Sequence, residues 1–127
     1  MPGPARSSTD PHSRPVKTVS FTTVGCRLNQ AETARMAASF QQAGYTVLAE
    51  GAPADVCVIH SCAITHRAER DSLRLARQAA RRSPGAAVII AGCAAELDAA
   101  RLQRESGAAY VVGQAGKFNL PTLLGAA

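Results

Sequence analysis

The chain has no tryptophan, and aromatic residues make up only 4% of its 127 positions. Large rings therefore supply little of the core. Many of the apolar residues, 46% in all, are alanines that each bury little surface. Alanine favours helix, so the valine- and isoleucine-rich strands are expected to carry most of the apolar burial. No apolar run approaches the roughly 20 residues that a membrane-spanning helix needs. The opening segment also lacks a central apolar stretch of signal-peptide length. Together these absences predict a soluble, cytoplasmic protein with no membrane partner. In a reducing compartment its four cysteines read as metal ligands, reactive thiols or core residues before a disulfide framework.

Missing motifs exclude further classes. The first strand-to-helix turn, TTVGCRLNQ, carries neither G-x-G-x-x-G nor G-x-x-x-x-G-K, so a nucleotide-phosphate cradle has no support. The third apolar run leads into HSC where a phosphate-accepting receiver domain would place an aspartate. No C-x₂-C pair of the kind that structural zinc sites use is present. A Cys₃His zinc site would need His60 or His66 as its fourth ligand, and each reads instead as a surface or turn histidine. The formal charge of +5 is compatible with an acidic partner such as RNA but is common among soluble proteins.

What is present is one domain of ordinary size. Residues 1–16, with four of the seven prolines, read as a disordered tail, and 17–127 as the folded domain. From Lys17 onward, apolar runs alternate with helical patterns. VKTVSFTTV, Tyr45–Leu48, Val56–Ile59, Ala87–Ala91 and Tyr110–Val112 read as strands. Leu28–Ala43, Thr65–Arg82 and Ala95–Glu105 read as helices, the first stopped by Gly44, and Lys117–Leu124 reads as a last amphipathic stretch. The alternation predicts a three-layer α/β fold with a five-stranded, mainly parallel sheet. Right-handed crossovers, with the second strand returning to the outside, give the flavodoxin-like order 2-1-3-4-5.

That order makes the first, third and fourth strands neighbours, and each leads into a cysteine: Cys26, Cys62 and Cys93. Open α/β sheets bind ligands at the carboxyl ends of their strands. With parallel strands about 4.8 Å apart, the three Cα atoms are expected within roughly 10 Å of one another. Three thiolates suit an iron–sulfur cluster with one iron left open. Two of the three stand in Gly-Cys pairs, Gly25-Cys26 and Gly92-Cys93, where a missing Cβ lets backbone approach a bulky group. Cys57, mid-strand between valines, reads as a core residue.

A second feature is a stripe of arginines. Arg67, Arg70, Arg74, Arg77 and Arg81 recur at helical spacing and share one face of the long helix. Ala68, Ser72, Leu75, Ala76 and Ala79 are expected to turn toward the sheet. The stripe reads as a solvated face partly neutralised by Glu69 and Asp71, or as a surface for RNA phosphate or an acidic second domain. Arginine throughout, in preference to lysine, favours a contact surface.

The motifs TVGCRLNQAET, HSCAITHRAERDS and IIAGCAAE, in this order, closely resemble the amino-terminal domain of the radical S-adenosylmethionine tRNA methylthiotransferases. The resemblance runs from about Lys17 to Leu124. G-C-x-x-N-x-x-E and C-x-x-T-x-x-A look most like the branch acting on threonylcarbamoyladenosine beside the tRNA anticodon. It implies that Cys26, Cys62 and Cys93 hold an auxiliary [4Fe–4S] cluster whose open iron carries the sulfur to be transferred. It also implies tRNA as partner, and a second cluster, in a following domain, that cleaves S-adenosylmethionine. This chain departs from the pattern in having His60-Ser61 where Asn-Thr is usual, and in having no C-x-x-x-C-x-x-C. Alone it is therefore expected to be inactive, as a truncated product or as one half of an enzyme whose radical-generating domain is separately encoded. The competing reading is a non-catalytic metal- or RNA-binding module that keeps the fold.

Overall fold

The computed structural model describes residues 17–24, 27–61, 65–92, 99–113 and 116–124. The segment read as a disordered tail lies outside the described residues. The strands are β1 (Thr18–Val24), β2 (Thr46–Val47), β3 (Val56–Ser61), β4 (Ala87–Gly92) and β5 (Tyr110–Val112). The helices are α1 (Arg27–Gln42), α2 (His66–Arg82), α3 (Ala99–Ser106) and α4 (Leu120–Leu123), the last entered through a 3-10 turn at Lys117–Asn119. All strand pairs are parallel, in the order β2-β1-β3-β4-β5, as the alternation of patterns predicts. Helices α1 and α4 cover one face, and α2 and α3 the other.

Burial follows the pleat. On the α1 face, Val19 and Phe21 of β1, Val56 and Val58 of β3, and Ile89 and Ala91 of β4 pack against Met36, Phe40 and Leu120. Three of the few aromatics meet there edge to face: Phe21 to Phe40 at 5.8 Å and Phe40 to Tyr45 at 4.9 Å between ring centroids. Each such pair contributes about 0.5–1.5 kcal/mol beyond its burial. On the opposite face, Cys57, Ile59, Val88 and Ile90 meet the small residues Ala76, Ala79 and Ala108. Alanine side chains let α2 lie close to the sheet.

Two strands run further than the sequence suggests. β3 continues through His60 and Ser61, and β4 through Gly92. Polar residues there look like strand ends, yet β3 is central and the ladders on both sides keep its backbone paired, so all six of its residues are buried. Helix α2 starts one residue after Thr65, whose side chain accepts from the Ala68 amide as an N-cap. Its inward face holds Ala68, Ser72, Ala76 and Ala79 as expected, but Leu73 is buried while Leu75 is only half-buried. The helix is thus rolled toward α3, where Glu69 forms an ion pair with Arg101.

Candidate metal centre

Three adjacent strands end level. Val24 of β1 pairs with Ser61 of β3, and Ser61 with Gly92 of β4, so their carboxyl ends form one line across the sheet. In the sequence, Cys62 and Cys93 follow Ser61 and Gly92 directly, and Cys26 comes two residues after Val24. The three cysteines themselves lie outside the described residues. Among the described residues, no group of three or more His, Cys, Asp and Glu side chains is placed to hold a metal ion. Cys57 is a buried free thiol whose contacts with Ser20 Oγ, Ser83 Oγ and the Ala54 carbonyl are all long, at 3.9 Å. It is a core residue, as its place between valines suggests.

Strand alternation sends His60 and Ser61 to opposite faces. His60 lies on the α1 side and is fully buried, which corrects its reading as a surface or turn histidine. His66 is the exposed first residue of α2. The His60 ring is held at both nitrogens: Nδ1 is 2.7 Å from Thr33 Oγ1, and Nε2 is 3.3 Å from Lys117 Nζ and 3.8 Å from Glu32 Oε1. Lys117 is 2% exposed and donates to Glu32 Oε1 at 2.5 Å. Thr33 also meets Thr23 of β1 at 3.2 Å. This polar brace ties α1, β1, β3 and the 3-10 turn together beside the line of strand ends. Sequence reading missed it, because Glu32 and Lys117 stand 85 positions apart and no local pattern pairs them.

Lys117, through its hydrogen bond, holds the Glu32 carboxyl below its ordinary value of 4.5, against a smaller opposing effect of burial. A carboxyl depressed in the folded state binds fewer protons there than in the unfolded chain, so its stabilisation is complete above the unfolded pKa. That stabilisation is lost as the pH falls through the folded value. The melting temperature of the wild-type protein is therefore expected to drop on acidification below about pH 4.5. In Glu32→Gln that drop should be shallower, from a lower starting point, because the buried ammonium has lost its counter-charge. Parallel pH profiles for the two proteins would contradict the pairing.

On the α2 face, the edge has two unusual features. Ser61 is 0% exposed, and its Oγ has no hydrogen-bond partner among the described residues. Gly92 has φ +111, and a Cβ there would overlap the Ser61 carbonyl oxygen and stand 3.1 Å from His60 Cδ2. A buried orphan hydroxyl and a position closed to any side chain thus stand directly before Cys62 and Cys93. Three soft sulfur donors in the sequence and a buried hydroxyl with no partner among the described residues fit a sulfur-bridged iron cluster, while the missing Cβ of Gly92 is accounted for by the Ser61 carbonyl of the neighbouring strand.

Beyond the edge, α2 presents Arg67, Arg70, Arg74, Arg77 and Arg81 as exposed residues on its outer side. Glu69, read as a neighbour that neutralises the stripe, is instead buried against Arg101. Asp71 remains, 3.4 Å from Arg74. Arg77 donates through Nε and Nη2 to the Glu105 carbonyl, at 3.1 and 2.7 Å, and so fastens α3.

Comparison with known proteins agrees with the motifs. The model of a family described as Uncharacterized protein family UPF0004 matches residues 18–113. The threonylcarbamoyladenosine tRNA methylthiotransferase of Aquifex aeolicus is 38% identical over 106 residues, covering 84% of this chain and 26% of the relative. The protein of the same name from Treponema pallidum is 40% identical over 88 residues, covering 67% of this chain and 18% of the relative. The tRNA-2-methylthio-N(6)-dimethylallyladenosine synthase of Clavibacter michiganensis is 34% identical over 120 residues, covering 91% and 22%. The chain thus spans about a quarter or less of the length of these relatives. It belongs to protein family UPF0004, the amino-terminal domain of the methylthiotransferases, and its motif likeness to the threonylcarbamoyladenosine branch is matched by the Aquifex aeolicus and Treponema pallidum relatives.

Proposed function

We propose that this chain holds the auxiliary [4Fe–4S] cluster of a tRNA methylthiotransferase that adds a methylthio group to threonylcarbamoyladenosine beside the anticodon. Cys26, Cys62 and Cys93 are its ligands. The observation that carries this reading is the level ending of β1, β3 and β4 at Val24, Ser61 and Gly92, one or two residues before the three cysteines in the sequence. When bound, the cluster supplies an iron without a protein ligand to carry the sulfur for transfer. The chain's own residues hold the edge rigid: the Thr33–His60–Lys117–Glu32 brace fixes it on one face, and Gly92 packs against Ser61 on the line itself. S-adenosylmethionine is the second cofactor, bound by a partner radical-generating domain.

The test is nucleoside analysis of tRNA from cells in which the gene for this chain is deleted. Loss of the methylthio form of threonylcarbamoyladenosine, with accumulation of the form lacking it, is expected. It should be restored by the wild-type gene and not by Cys62→Ser. An unchanged nucleoside profile would favour the non-catalytic metal- or RNA-binding module, and loss of a different methylthiolated product would move the substrate.

The exposed arginine face of α2 is proposed to meet tRNA phosphate. Replacing Arg67, Arg70 and Arg74 with glutamine should weaken tRNA binding and flatten its salt dependence by about one unit of logarithmic slope per lost contact. Arg77→Gln should instead lower the melting temperature, since that side chain fastens α3. Filter binding across a salt series checks both. Unchanged affinity and slope in the triple variant would leave the stripe as a solvated face or a site for an acidic domain.

A further inference from the structure

We infer that the Ser61 hydroxyl donates a hydrogen bond to a sulfur of the cluster site, and is thus a positioning residue for it; this rests on the cluster reading above. Ser61 is the last residue of β3 and is fully buried on the α2 face, and its Oγ has no partner among the described residues. A hydroxyl desolvated without a partner is destabilising, and folded proteins leave few in that state. Among the described residues, the neighbouring strands place no polar side chain beside it. Its two cross-strand neighbours are Val24, with an apolar side chain, and Gly92, with none. The line of strand ends on which Ser61 stands is followed in the sequence by three thiols.

Thiolate and sulfide sulfurs are acceptors, and hydrogen bonds to them are among the controls on cluster potential. A donor favours the more negative, reduced state, because added charge on the core strengthens the bond it accepts. The hydroxyl is therefore a liability in the metal-free protein and an asset in the loaded one. A residue needed only for packing would not show that reversal.

The experiment compares wild type with Ser61→Ala as full chains. Without metal, Ser61→Ala should melt above wild type, since a buried unpaired hydroxyl has been removed. After anaerobic reconstitution with iron and sulfide, its midpoint potential should fall by about the equivalent of a tenfold change in the reduced-to-oxidised ratio, ~59 mV for one electron. The melting measurement also verifies that the variant folds. A loaded Ser61→Ala with the wild-type potential, or a metal-free one melting below wild type, overturns the role of the hydroxyl while leaving the cluster in place. A wild-type chain that takes up no iron and sulfide overturns the cluster reading and this inference with it.

Discussion

Gly92→Ala is expected to cost about 3–5 kcal/mol of folding stability, a large part of the ~5–15 kcal/mol that a domain of this size possesses. Two effects combine. The backbone at φ +111 lies in a region that side-chain-bearing residues rarely adopt, costing about 1–3 kcal/mol. The new methyl would also meet the Ser61 carbonyl of the neighbouring strand. That oxygen cannot move aside cheaply, because β3 is clamped between β1 and β4, and overpacking of this kind costs about 1–3 kcal/mol more. Gly44→Ala is the control. Its backbone is also left-handed, at φ +96, but nothing lies within 4 Å of the added Cβ. It should therefore lose only the backbone part. Denaturant unfolding of both variants measures the difference, and equal losses would mean that the Ser61 contact does not matter.

The sheet was legible because its signals are local. Each strand is a short run rich in β-branched residues and three of the four connections between strands carry a helix, and chain chirality then leaves few orders for the strands. The ends of β3 and β4 were not legible, since His60, Ser61 and Gly92 look like the start of a loop when read singly. Backbone pairing from both sides holds them in the sheet, and that is a property of the assembled strands. The same holds for the site. Cys26, Cys62 and Cys93 stand out through their repeated place after strands, and Cys57 through its place within one. The brace of Thr33, His60, Lys117 and Glu32 left no trace in any window of sequence. Glu69 was misassigned because helical spacing alone does not reveal that α3 supplies Arg101 as a nearer partner.

Single replacement of any of the three cysteines that follow the level strand ends should abolish cluster loading. Three thiolates bind three irons of a cubane, and the two that remain cannot hold it firmly. Cys26→Ala, Cys62→Ala and Cys93→Ala should therefore emerge from reconstitution with little iron or sulfide while keeping their fold. Cys57→Ala should load fully, losing about 1–2 kcal/mol from a small core substitution. The decisive measurement is the iron, sulfide and zinc content of the wild-type chain and these four variants after anaerobic reconstitution. About four irons and about four sulfides per wild-type chain, retained in Cys57→Ala and lost in the other three, is the predicted result. Stoichiometric zinc with no sulfide, or loss of the cluster in Cys57→Ala as complete as in the others, would contradict it.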